Sequence, residues 1–172
     1  LLVTVAMLLT LMIPSASAAA VSFSDTTGHW AETSIGTWSG YEIIQGYEGK
    51  FRPDDPITRG EMAVILDRLL DYRTAAPDSF TDLGATFYTD AVLKLNKAGV
   101  MLGYQGNVWP TADITRQDAF VMIARALEIQ TVEDYTITAP DADDISDYAV
   151  GAVGTMESLG MIHGRTDGKL YP

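Results

Sequence analysis

The chain has 172 residues, no cysteine, and a formal net charge of −12 from 23 acids against 11 bases. That balance argues against nucleic acid as a partner and against bulk electrostatic adhesion to anionic polymers, so any anionic partner has to be caught by a few locally placed arginines. Without cysteine the chain is not a small disulfide-stapled scaffold and has to be held together by packing.

In chain order, the first segment is an uncharged apolar run from Leu1 to Ile13, broken by Pro14 and followed by Ala16-Ser17-Ala18. It reads as the core and cleavage end of a secretory leader lacking its start Met and basic segment, and it is too short to span a bilayer comfortably. Residues 1–20 are therefore set apart from the fold. About 150 residues remain, enough for one domain with a core.

Those residues repeat. Ile57-Thr58-Arg59-Gly60-Glu61 returns as Ile114-Thr115-Arg116-Gln117-Asp118. In that register Phe23-Ser24-Asp25 meets Phe80-Thr81-Asp82, Trp30 meets Phe87, and Gly46-Tyr47 meets Gly103-Tyr104. A stretched third copy runs through Asp143, Tyr148-Ala149, Gly160 and Leu170-Tyr171-Pro172 without reaching an arginine phrase. A period in the fifties, with glycines and prolines in register, predicts an array of supersecondary units. The expected units are 21–75, 76–135 and an incomplete 136–172.

Each unit reads as helix, loop, helix. The first helices carry apolar faces at Trp30, Ala31, Ile35, Trp38 and Tyr41, then Tyr88, Ala91, Leu95 and Ala98, then Ala149, Val153, Met156 and Leu159. Gly99 and Gly160 fall where a helix ends in a left-handed residue, and unit one has Glu42 there. The second helices start at Thr58 and Thr115. Glu61 completes a capping box with Thr58, and Asp118 is expected to do the same for Thr115 with a shorter acid. Met62, Ile65, Leu66, Leu69 and Leu70 form the buried stripe behind the first cap, and Ala119, Met122, Ile123, Ala126 and Leu127 behind the second. One apolar face per helix cannot be buried alone, so the expectation is a mainly α bundle with the units related by about a threefold turn.

Capping leaves Arg59 and Arg116 unexplained, since a cation in the first turn opposes the helix dipole. A helix N-terminus beside a guanidinium suits a carboxylate ligand, which arginine grips with two parallel hydrogen bonds. The alternative is pairing with a nearby acid such as Asp54, Asp55 or Asp113. Trp30 and Phe87 offer an aromatic face to a sugar ring or pack in the core. Asp25 and Asp82 receive sugar hydroxyls or cap the first helix. Gly46 and Gly103 admit a close ligand or supply positive φ. Trp30 and Gly46 are expected to line one groove with an exposed Arg59.

The segments FSDTTGHWAETSI, IIQGYEGKFRPDDPITRGEMAVIL and VMLGYQGNVWPTADITRQDAFVMI resemble S-layer homology repeats over nearly all of residues 21–172. The resemblance implies three repeats in a pseudo-threefold helical bundle that binds secondary cell-wall polysaccharide, often through a pyruvate-ketal sugar, and anchors its protein non-covalently to the bacterial envelope. It implies a secreted, cell-surface location, no cofactor and no catalysis. It places the ligand-gripping arginine on Arg59 and Arg116, the aromatic on Trp30 and Phe87, the acid on Asp25 and Asp82, and the loop glycine on Gly46 and Gly103. Gly60 and Gln117 depart from the motif alanine, and Asp118 from its glutamate.

Two other readings compete. A tethered enzyme beyond the repeats is one, although His29 and His163 stand isolated and no nucleophile motif occurs. A calcium-dependent docking module is the other, suggested by DADDISD at 141–147. That stretch lacks the turn glycine and distal glutamate of an EF-hand loop, and reads as a solvated acidic linker.

Overall fold

The computed structural model describes residues 19–132 and 135–172. The leader expected over 1–20 thus lies outside the described residues except for Ala19 and Ala20. Among the described residues five α-helices follow in order: α1 Glu32–Gly40, α2 Arg59–Leu70, α3 Thr89–Lys97, α4 Arg116–Ala126 and α5 Asp147–Ser158, with a 3-10 turn at Ala142–Asp144 before the last. The fold is mainly helical, and among the described residues no strand forms, only isolated bridges such as Thr58 with Asp113.

Local chemistry sets the helix ends. At α2 the Thr58 hydroxyl accepts from the Glu61 N–H, and the Glu61 carboxylate takes the Thr58 N–H at 2.7 Å, a closed capping box. At α4 only half of that arrangement forms. Thr115 caps the Asp118 N–H at 3.2 Å, but the Asp118 carboxylate does not return to the cap. An aspartate is one methylene shorter than a glutamate, and this one finds partners elsewhere, so the expected second capping box is corrected to a single-sided cap. The first helices end as expected at Gly99 and Gly160, with φ 74° and 66°. Glu42 takes the same left-handed place at φ 61° despite its side chain.

The core lies between repeats. Met62, Ala63 and Leu66 of α2 pack against Tyr88, Ala91, Val92 and Leu95 around α3. Val121 and Ala124 of α4 pack against Ala149, Ala152, Val153 and Met156 of α5. Ile123 touches both clusters. Each second helix thus buries its stripe on the first helix of the following repeat, which is why one unit does not form a core by itself. The stripes are narrower than the periodicity suggested, since Leu69 and Leu127 are exposed. On α1 only Ile35 of the expected apolar face is buried. Trp30, Trp38 and Tyr41 are exposed, and α1 packs instead on the chain before it through the Val21 N–H to Gly36 carbonyl bond.

The loop after the first helix of each repeat is fixed by one carboxylate. Asp25 accepts from the Phe51 and Arg52 N–H groups at 2.9 and 2.8 Å. Asp82 accepts from Val108 and Trp109 at 3.0 and 2.7 Å. Asp141 accepts from Leu170 and Tyr171 at 2.9 and 2.8 Å. The third-repeat counterpart is therefore Asp141 and not Asp143, because seven positions separate it from Tyr148 where five separate Asp25 from Trp30 and Asp82 from Phe87. Asp141 is buried, so DADDISD is no solvated linker. Among the described residues no three acidic, histidine or cysteine side chains converge to hold a metal ion.

Candidate functional site

The N-terminus of α2 meets the loop of the second repeat. The Arg59 N–H donates to the Ala112 carbonyl at 2.9 Å and the Gly60 N–H to the Pro110 carbonyl at 2.8 Å. With the Glu61 N–H held by Thr58, these donors are engaged within the protein and do not wait for an anion. Gly60 stands where the motif has alanine because a Cβ there would lie 2.8 Å from the Tyr88 ring and 2.9 Å from the Pro110 carbonyl oxygen.

Arg59 is folded into this junction, with its side chain only 14% exposed. Its Nε donates to the Val108 carbonyl at 3.1 Å and its Nη1 to the Asp118 carboxylate at 2.8 Å. The partner acid comes from the next repeat and is none of Asp54, Asp55 or Asp113. Arg116 repeats the first contact, its Nε donating to the Leu170 carbonyl at 2.7 Å. Its guanidinium lies over the Phe120 ring at 5.2 Å. Burial lowers the Arg116 pKa, with the nearby Arg165 charge adding to the effect and Asp141 opposing it. Each arginine thus braces the backbone unit whose N–H is held by the following repeat's aspartate. The chain of contacts runs from Asp82 through Val108 to Arg59, and from Asp141 through Leu170 to Arg116.

Beside Arg59 opens a groove of about 660 Å³. Its walls include Gly103, Tyr104 and Trp109 from the second repeat's loop, Asp118 and Arg125 from α4, and Tyr148 from α5. Tyr104, Trp109 and Tyr148 are all exposed aromatics. The Tyr148 hydroxyl donates to Asp118 at 2.6 Å, and its pKa is raised by burial first and by that hydrogen bond second.

The structure groups the expected residues differently from the sequence. Arg59 shares its groove with Gly103, from the following repeat, whereas Trp30 and Gly46 do not line it. Trp30 and Phe87 are 91% and 71% exposed, so neither packs in the core. They occupy the positions that Tyr148 holds in the third repeat. Trp30 stacks at a tilt on His29, with ring centres 5.5 Å apart, and His29 in turn meets Asp54 at 3.3 Å. Asp25 and Asp82 cap no helix, because both carboxylates hold loop N–H groups. Those contacts, led by the Phe51 N–H, keep Asp25 below the usual carboxylate range. For Asp141 burial is the largest influence and raises the pKa, but the Leu170 and Tyr171 N–H groups lower it, the Lys169 charge adds to them, and the net shift is down.

Gly46 and Gly103 are not among the positive-φ glycines. Their need is space: a Cβ on Gly103 would lie 2.4 Å from Phe80 Cε1 and 2.6 Å from the Asn107 carbonyl oxygen, and one on Gly46 2.4 Å from Phe23 Cε1. Tyr104 and Trp109 escaped the sequence reading. The signal available for Tyr104 was its recurrence with Tyr47 behind those same glycines.

The family model of the S-layer homology domain matches residues 22–63 and 79–120. An S-layer protein of Bacillus licheniformis is 30% identical over 166 residues, covering 94% of this chain and 19% of that protein. The Surface-layer 125 kDa protein of Lysinibacillus sphaericus is 26% identical over 94% of this chain and 14% of its own length. Exoglucanase XynX of Acetivibrio thermocellus is 28% identical over 88% of this chain and 15% of its own length. The chain spans a fifth or less of each of these relatives.

Proposed function

Because the chain belongs to the S-layer homology domain family, whose members anchor proteins to the bacterial cell wall, we propose that it holds its protein at the cell surface by binding an acidic sugar of a secondary cell-wall polysaccharide. In this reading the module is the non-catalytic part of the protein that carries it. The anchored partner is a surface-layer lattice, or a secreted enzyme as in the exoglucanase relative.

The observation that carries the ligand class is the Arg59 groove. It combines a guanidinium with three exposed aromatic side chains, Tyr104, Trp109 and Tyr148, along one depression. Aromatic faces take the apolar face of a sugar ring, and the guanidinium takes an acidic substituent. Arg116 supplies a guanidinium at the corresponding helix start, and Trp30 and Phe87 supply exposed aromatics at the positions corresponding to Tyr148.

The test is co-sedimentation with isolated wall polysaccharide before and after chemical removal of its acidic substituents. Binding is expected to drop on removal. It is also expected to drop in Tyr104→Ala, whose exposed ring makes little demand on folding. Arg59→Lys is expected to retain part of the binding, because an ammonium keeps the charge and loses the fork. Arg59→Ala is less informative, since the half-buried Arg59 also braces Val108 and Asp118. Equal binding to native and neutralised polymer overturns the acidic-sugar reading.

A further inference from the structure

The carboxylate that pairs with Arg59 belongs to the protein. Asp118 presents one oxygen to Arg59 Nη1 at 2.8 Å and the other to the Tyr148 hydroxyl at 2.6 Å. A cation on one side and a phenol on the other are the donors that a ligand's carboxylate would use in this groove. The raised pKa of Tyr148 keeps its proton available as a donor. Asp118 also stands apart from its counterpart Glu61, whose carboxylate turns back to the Thr58 N–H. The Asp118 side chain is 25% exposed, so a ligand can reach it. Arg59 and Arg125 among the groove residues are offset by Asp113 and Asp118.

We propose that Asp118 is an intramolecular competitor for Arg59: it occupies the guanidinium in the unliganded groove, and an acidic sugar binds there only by displacing it. This rests on the acidic-sugar reading above and sets its affinity. The Asp118 carboxylate is tethered on a helix and has little entropy to lose, so it holds Arg59 against weak or misplaced anions. A ligand wins when the aromatic walls add ring contacts to its own carboxylate. The groove then discriminates against free small carboxylates, which compete with Asp118 and gain nothing from Tyr104 or Trp109. Displacement does not undo the α4 cap, because Thr115 holds the Asp118 backbone N–H and not its side chain.

The experiment uses the 172-residue chain and two probes. One is a methyl hexoside carrying a 4,6-linked pyruvate ketal. The other is its isopropylidene ketal, in which a methyl group replaces the carboxylate. Affinity is read by calorimetry, and occupancy of the Arg59 groove by the NMR shift of its Nε–Hε pair. Asp118→Asn keeps the side-chain shape and removes the charge, and Asp118→Ala removes the competitor altogether. Thermal melts confirm that both variants are folded at the titration temperature. Both are expected to bind the pyruvate ketal roughly tenfold more tightly than the parent, the order expected when a charge-assisted contact no longer has to be exchanged. Both are expected to leave the neutral ketal unchanged. If the parent prefers the acidic ketal but neither variant tightens it, or both weaken it, Asp118 is no competitor and the acidic-sugar reading survives alone. If parent and variants treat the two ketals alike, the acidic-sugar reading fails and this proposal with it.

Discussion

Asp82→Ala tests the loop brace at the copy that seats Arg59. The Asp82 carboxylate takes the Val108 N–H at 3.0 Å and the Trp109 N–H at 2.7 Å. Val108 is fully buried, and its carbonyl also accepts from Arg59. Truncation therefore strands one buried donor and loosens the seat of one half-buried guanidinium. An unsatisfied buried donor costs about 1–3 kcal/mol, while the exposed Trp109 N–H turns to water at little cost. The expected loss is about 2–4 kcal/mol, and roughly half that for Asp82→Asn, whose amide oxygen still accepts. Urea unfolding followed by circular dichroism and by tryptophan fluorescence measures it. The midpoint is expected to fall with the slope unchanged, since the same surface is exposed on unfolding. A loss below about 0.5 kcal/mol, within the range of ordinary surface substitutions, would show that the loop holds itself and that the carboxylate is not its brace.

Three further outcomes follow from the same geometry. Gly103→Ala is expected to destabilise by about 1–3 kcal/mol, because its Cβ meets a backbone carbonyl as well as the Phe80 ring; an unchanged melting temperature refutes this. Asp25 and Asp141 have folded pKa values below 3.8, so their contribution is complete above that value and is lost as pH falls through the lower folded values. An acid titration of stability should therefore slope below about pH 4, and the Asp25→Asn, Asp141→Asn double variant should flatten it. Glu61→Ala is expected to cost about 1 kcal/mol by opening the α2 capping box, whereas Asp118→Ala leaves the Thr115 cap in place, as amide exchange at the two helix starts would report.

The sequence made legible what is encoded within a few residues. Thr58 and Glu61 lie three positions apart and act on each other, so the start of α2 could be read directly. Glu42 kept the left-handed helix end that Gly99 and Gly160 marked, because the repeat register outweighs the cost of a side chain there. What could not be read were partners set by the packing of one repeat on the next. Arg59 finds Val108 and Asp118 across 49 and 59 positions, and no local spacing announces either. The nearby acids at Asp54, Asp55 and Asp113 were the natural candidates, and the fold passes all three over. The same cause hid the owner of the Arg59 groove. Gly46 and Trp30 share a repeat with Arg59, but α2 leans on the second repeat and brings Gly103 instead. Asp141 was missed because the third copy has two more residues before its aromatic position, so counting back from Tyr148 led to Asp143.

The braced loop carries a consequence for how such repeats diverge. In each copy the second residue held by the aspartate adopts a left-handed backbone, Arg52 at φ 58°, Trp109 at 48° and Tyr171 at 53°. The aspartate reads only the backbone at that point, so the identity of the side chain is left free. One copy displays a cation, one an indole and one a phenol from the same scaffold position. The strain of a non-glycine residue at positive φ is borne identically by all three. Each repeat is thus a socket of constant shape with an interchangeable tip, and a lineage can exchange the tips one at a time to follow a changing surface chemistry without renegotiating the fold.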